Sequence, residues 1–250
     1  MSSMMLKPLL WPTLISVPAL IVLCLLGNWQ LDRREWKASL IQNITDRTNL
    51  DPVRLPPAET WPELDLDEWN YKIVRLYGKF DHEAEIHVFA FLTKPRGLLG
   101  GSGYWVITPL HLVGGDVVLV NRGFVPVGMK DPVRRIQVLE DEIVEVTGFL
   151  RKSEIPGWFV PEPDLGANVW HARNISAMGK VRGLDKLSPF YVDQDVGREG
   201  EIPQGGETQL SFRNEHFGYA LTWFGLAGAL MVIYVAFHHA QGRIGSAYKN

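Results

Sequence analysis

The sequence predicts a membrane-anchored, mainly β protein: two transmembrane helices flanking an antiparallel β-barrel or sandwich-like extramembrane domain. Three observations carry that expectation. Leu9–Leu26 and Phe217–Phe237 are apolar runs without a charged residue, one near each end of the chain. As a helix the second run spans about 32 Å, enough to cross a bilayer core. Between the runs, short segments alternate apolar and polar residues at period two and are separated by glycine and proline.

Composition sets the outer limits. The chain has 250 residues, 46% of them hydrophobic, with a mean hydropathy near zero that hides the segregation of apolar ends from a polar middle. A net charge of −3 gives no basic face for nucleic acid. Cys24, the only cysteine, excludes a disulfide framework.

Taken in order, residues 1–8 form a short cytoplasmic N-terminus carrying Lys7, and 9–28 form the first transmembrane helix. A secretory signal peptide is the rival reading, but its apolar region is shorter and a small-x-small cleavage site should follow. Here Gly27-Asn28-Trp29-Gln30 follows, which favours an uncleaved anchor. Pro12 and Pro18 are tolerable in a membrane helix, and Pro18 is a candidate kink. Residues 29–50 continue as an interfacial helix, with Trp29, Arg33 and Trp36 in one arc and Leu40 and Ile44 extending an apolar face. That arc reads either as a headgroup-depth belt or as a receptor in which Arg33 meets an anionic ligand group.

Residues 51–213 form the β-rich domain. Asp51–Pro57 reads as an extended, proline-rich linker. Strands are predicted at Tyr71–Tyr77, Ala84–Leu92, Tyr104–Leu112, Asp116–Val120 and Glu142–Arg151, with shorter ones at Asn168–Ala172, Phe190–Asp193 and Gln209–Arg213. Gly114-Gly115 signals a hairpin and Ile175–Val181 a short helix. Lys94–Gly103 reads as a mobile, glycine-rich loop. The segments Val74–Phe80 and Val144–Leu150 resemble each other, each with a central glycine of the kind barrel corners require. Residues 214–238 form the second transmembrane helix, opened by Asn214 as its cap, and 239–250 a cytoplasmic tail. His238-His239 reads as part of a solvated end. The short ends carry Lys7, Arg243 and Lys249, whereas Arg33, Arg34 and Lys37 oppose export; long domains translocate regardless of charge, so both termini are placed inside and the domain outside.

The chain contains no Gly-x-Ser-x-Gly elbow, no Walker lysine and no His-x-x-x-His or Cys-x-x-Cys pair. His82 and His87 do not aim at one metal. His216 differs because of its helical neighbours. At 100° per residue, His216, Tyr219, Trp223, Ala227, Leu230 and Tyr234 line one face, and Gly218, Thr222, Gly225 and Ala229 nearly the opposite one. The small residues invite close approach by the first helix, leaving the aromatic face free. An interfacial belt is the plain alternative. Neutral imidazole is also a standard axial ligand of haem iron, with Arg33 available to the propionates.

Four stretches carry a family resemblance: Gly27–Lys37, Thr108-Pro109-Leu110, Val118–Pro126 and Asn214–Phe224. Together they resemble the surfeit locus protein 1 family of cytochrome c oxidase assembly factors across essentially the whole chain. Phe124 stands where that family more often carries tryptophan. The resemblance implies a non-enzymatic protein of the bacterial inner membrane with a periplasmic central domain, since no long transit peptide precedes the first helix. It implies haem a as cargo, delivered to the cytochrome c oxidase catalytic subunit, with the haem-linked histidine falling on His216. The helix faces then put Tyr219 and Trp223 beside the ring, with Arg33 and Trp29 as further binding residues. The lipid bilayer is a partner; a haem a synthase is another the resemblance allows. Arg122-Gly123 matches a family motif of unsettled role, read here as a strand end with Arg122 paired inside the domain and Gly123 permitting a bulge. Two rivals remain: a haem-independent scaffold docking an oxidase subunit, and a membrane-anchored enzyme. The enzyme is favoured only if the sheet holds a polar pocket with converging titratable groups.

Overall fold

The computed structural model describes residues 4–135, 142–197, 200–210 and 214–246. The chain runs β1 (Met4–Leu6), α1 (Leu10–Thr48), β2 (Val53–Arg54), α2 (Leu66–Trp69), β3 (Ile73–Phe80), β4 (Ile86–Leu92), β5 (Gly101–Leu112), β6 (Val117–Pro126), β7 (Val144–Lys152), β8 (Val169–Trp170), α3 (Ile175–Arg182), β9 (Leu187–Gln194), α4 (His216–Ala240) and β10 (Ile244–Ser246). Two compact units result, one of Met1–Asn43 with Ser211–Asn250, the other of Ile44–Leu210.

In the domain, β3, β5, β6, β9 and β7 close into a five-strand barrel. Counted in chain order, the strands follow each other first-second-third-fifth-fourth and back to the first, a Greek-key order. The antiparallel sheet expected from the sequence is in fact mixed: β6 runs parallel to β9, and β2–β3 and β4–β8 are also parallel. An odd number of strands cannot close with every neighbour antiparallel. The parallel pair needs a long return, and the chain between β7 and β9, holding β8 and α3, supplies it.

Gly78 is the corner where β3 exchanges partners, facing Val144 of β7 and Leu112 of β5. A Cβ there would lie 2.4 Å from the His111 carbonyl oxygen, so the bend expected at this glycine is present. Strand β6 is buried on both faces. Val118 and Val120 point into the barrel core with Val74, Leu110, Leu150 and Val192. Leu119 points outward, under Trp170, Ile175 and Met178. This two-sided burial lets β6 run beyond the predicted Val120 to Pro126.

Three loop expectations change. The proline-rich linker is part of the fold: Trp61, buried against Phe190, donates from Nε1 to the Pro56 carbonyl at 3.0 Å. The glycine-rich loop is tied down, not free: Arg96 and Gly97 backbone N–H groups donate to the Glu207 carboxylate, and Leu99 exchanges two hydrogen bonds with the Gln204 amide. Gln209 and Leu210 lie outside any strand, and 211–213 fall outside the described residues. Helix α3 forms as expected, with Asn174 accepting from Ala177 N and Gly183 closing it at φ +64.

In the other unit, α1 continues without a break through Pro18 and through the boundary at Gly27. Helices α1 and α4 are both long and apolar enough to cross a bilayer. They pack antiparallel along one seam of α4: His216, Ala220, Trp223, Ala227, Leu230, Tyr234 and His238 are buried or half-buried, and the other described residues of the helix are exposed. The faces are therefore reversed from the sequence expectation. Gly218, Gly225 and Gly228 have nothing within 4 Å of an added Cβ, whereas a Cβ on Gly27 of α1 would meet the Phe224 ring at 2.7 Å. The reason is polar satisfaction, because hydrogen-bonding side chains in an apolar setting turn toward partners. Tyr234 Oη meets Thr13 Oγ1 at 2.6 Å, while Thr222 is content with its own helix, donating to the Gly218 carbonyl.

Candidate functional site

His216 is the first residue of α4, and Glu215, with no capping side-chain bond, precedes it. Asn214 does not cap the helix as expected; its Nδ2 donates across to the Arg34 carbonyl of α1 at 3.0 Å. That clamp fixes the entry of α4 and turns His216 toward α1. There Nδ1 lies 2.7 Å from Gln30 Oε1. A carbonyl oxygen only accepts, so Nδ1 carries a proton, and in the neutral imidazole Nε2 presents a bare lone pair. Among the described residues Nε2 has no hydrogen-bond partner. The ring is half-buried, so that lone pair is neither sealed in nor freely hydrated. Chemically this is a Lewis base pre-set in one tautomer, the way ligand imidazoles are held by a partner on the opposite nitrogen.

The remaining sequence-predicted site residues are arranged less tightly. Trp223, two turns on, shares the seam with His216 and is half-buried. Tyr219 lies off the seam and is exposed. Trp29, beside Gln30, is exposed on α1. Arg33 lies over its own helix neighbour Trp36, 4.4 Å from the ring centroid. The guanidinium brought to α4 is that of Arg34, 5.0 Å from the Phe217 ring. Gln30 and Arg34 lie within the Gly27–Lys37 motif, where sequence pattern alone gives neither a place in the site. The readable signal was their type: hydrogen-bonding side chains at the end of an apolar run, at the depth where His216 begins.

The domain holds a second polar concentration, a cavity of about 350 Å³ lined in part by Tyr71, Trp105, Arg151, Glu154, Arg173 and Asp193. This meets the stated condition for the enzyme reading, converging titratable groups, but their charges are used on each other. Asp193 accepts from Arg151 at 2.8 Å and from Asn121 Nδ2 at 2.8 Å. Arg173 forks onto Glu154, with Nε 2.8 Å and Nη2 2.5 Å from one oxygen. Burial pushes the Glu154 carboxyl up, but the charge and hydrogen bonds of Arg173 outweigh it and hold the group below its ordinary range. Burial pushes the Tyr191 hydroxyl well up, and the Asp193 charge adds to it. Both shifts move away from neutral pH, whereas general acid–base groups are tuned toward it. Among the described residues no three His, Cys, Asp or Glu side chains gather as a metal site.

The bulge expected at Arg122-Gly123 is present, but the pair lies within β6 and not at a strand end, because the strand continues to Pro126. The β5–β6 register slips between Val106 and Ile107, leaving Arg122 as the extra residue. Gly123 sits at φ +134, and a Cβ there would be 2.1 Å from the Gln204 carbonyl oxygen. Arg122 is buried over Phe80, with Nη1 3.3 Å from His82 Nδ1. Phe124, the departure from tryptophan, is fully buried edge-on to Trp105.

Two helices of bilayer length and a small Greek-key barrel define the architecture, with a half-engaged imidazole at the start of α4. The SURF1 family profile matches residues 17–228. The chain belongs to the SURF1 family. It is 36% identical over 233 residues to surfeit locus protein 1 of Gallus gallus, covering 86% of this chain and 71% of that one. It is 36% identical over 225 residues to the protein of Takifugu rubripes (84% and 90% covered) and 34% over 218 residues to that of Homo sapiens (82% and 70%).

Proposed function

We propose that this chain is an assembly factor for cytochrome c oxidase that holds haem a at the outer membrane interface through His216 and assists its delivery to the catalytic subunit. Both helices anchor it in a bacterial inner membrane, with the barrel domain on the periplasmic side. Family membership and the boundary motifs support the oxidase role. The observation that carries the cargo reading is the uncommitted Nε2 of His216, on a ring whose other nitrogen is already engaged by Gln30. The donor set fits an iron porphyrin: a neutral nitrogen for the metal, Trp223 and Tyr219 for the ring, and Arg33 or Arg34 for the anionic edge. A carrier must also let go, and one ligand at a half-exposed site favours release over permanent capture.

Full-length protein purified from cells that synthesise haem a is expected to carry a haem spectrum that His216→Ala abolishes at equal protein yield. Absence of haem from the wild type, or a spectrum unchanged by the substitution, overturns the reading. One observation favours the scaffold reading alongside it. Gly218, Thr222, Gly225 and Ala229 form an exposed, flat side of α4, a surface on which a helix of an oxidase subunit can pack closely.

A further inference from the structure

In the domain, the chain leaving β7 makes a tight turn whose two central side chains stand out into water. Trp158 and Phe159 are fully exposed, and no other aromatic side chain among the described residues is as exposed. Ile155 beside them is nearly as bare. From Ile155 to Pro161 there is no charge. The turn is nonetheless built. Val160 N donates to the Gly157 carbonyl at 3.0 Å, placing Trp158 and Phe159 at the two central positions. Pro156 and Pro161 restrict the backbone on either side. At the base, Glu154 N donates to the Arg173 carbonyl, Arg173 N returns a bond to the Glu154 carboxylate at 2.9 Å, and Ile175 N donates to Ser153 Oγ at 3.1 Å. The ion pair with Arg173 neutralises Glu154 on one side of the tip, and Glu162, which follows Pro161 on the other side, is exposed to water.

We infer that the Trp158–Phe159 turn is a wedge that inserts into the interface of a phospholipid bilayer, giving the domain an attachment to the membrane besides its helices. This rests on the anchored reading above. Two large aromatics held out in water cost free energy that insertion recovers. Tryptophan in particular favours the headgroup boundary, where its ring is apolar and its N–H stays wet. Because the turn is preformed, little ordering entropy opposes insertion. A domain joined by its own chain to membrane helices also meets lipid at high effective concentration. A protein partner is the poorer match. Anchor residues of protein interfaces sit inside a patch whose rim excludes water, whereas these two side chains stand clear of their own domain.

The full chain, in a Cys24→Ser background, is labelled with a nitroxide at Gly157→Cys and reconstituted in phosphatidylcholine vesicles. A side chain at Gly157 enters open space, as it does at Gly128, whose cysteine variant serves as the reference. The expected result is loss of relaxation by a water-soluble nickel chelate at 157 relative to 128, with relaxation by oxygen retained. Trp158→Ser with Phe159→Ser restores the chelate effect. Equal access of the chelate to both labels overturns the inference. So does a label at 157 shielded from both reagents, the signature of a protein or second copy packed on the turn. Flotation separates the two readings: a chain that fails to float with vesicles refutes the anchoring, and one that floats with a wet label refutes the wedge alone.

Discussion

Each end of the helix pair is held by a histidine of α4 reaching across to α1, and the two imidazoles differ by one bond. At the far end His238 is completely buried. Its Nε2 accepts from the Leu9 backbone N–H at 3.0 Å, its Nδ1 donates to the Tyr234 carbonyl at 2.9 Å, and the Tyr234 ring lies 4.1 Å away. It caps the start of α1, where backbone N–H groups otherwise lack partners. The strands β1 and β10 close the same end, pairing Met4–Leu6 with Ile244–Ser246. The expectation that His238 belongs to a solvated end is therefore wrong; His239, next to it, is exposed. At the near end His216 spends one nitrogen on Gln30 and keeps the other. A saturated imidazole is part of the structure. A half-saturated one is available for chemistry. His87 in the domain sides with His238: Asn168 Nδ2 lies 3.3 Å from its Nδ1, and Glu85 2.6 Å from its Nε2.

The comparison can be broken in graded steps. The largest effect is expected from His216→Ala, complete loss of bound haem with the melting temperature in detergent nearly unchanged; a protein that unfolds instead makes His216 structural after all. Next comes Glu85→Gln. Burial alone raises the Glu85 carboxyl, but hydrogen bonds from His87 and Arg135 outweigh it and set the group below its ordinary 4.5. Its stabilising contribution is thus complete above that value and is lost as pH falls toward the folded one. Removing the charge leaves the buried Arg135 guanidinium without its counter-ion, costing about 3–5 kcal/mol by denaturant unfolding. It also flattens the acid limb of the stability profile. His238→Ala strips the cap from Leu9 N and opens a void, costing about 2–3 kcal/mol while leaving the haem spectrum intact. Gln30→Leu frees the His216 tautomer and weakens haem binding about 10- to 100-fold, with Gln30→Glu restoring it. The smallest step is Thr13→Val, which removes the side-chain bonds to Tyr234 and to the Leu9 carbonyl for about 1 kcal/mol and leaves the haem spectrum intact.

Much of the architecture was legible because periodicity reports burial. The two apolar runs, the hairpin at Gly114-Gly115, α3 and the corner at Gly78 all follow from local pattern. What pattern cannot carry is pairing. Nothing in β6 or β9 announces that they run parallel, since that follows from closing an odd number of strands. The α4 faces were misjudged for a similar reason. Small residues permit approach, but unsatisfied polar groups compel it, and whether Tyr234 and His238 need α1 depends on Thr13 and Leu9, more than 200 residues away. His216 stood out by its position at the mouth of an apolar run. Gln30, which decides what His216 can do, was visible only once the two helices were side by side.

The central claim is that His216 keeps a free Nε2 lone pair while its Nδ1–H is held by Gln30. Nitrogen NMR of the haem-free protein, with histidine labelled in both ring nitrogens and His216→Ala used for assignment, reads this directly. The predicted result is a protonated Nδ1 and an unprotonated Nε2 for His216 in a single tautomer, with the Nε2 signal alone shifting on haem addition. A proton resident on Nε2, or two tautomers in exchange, would contradict it.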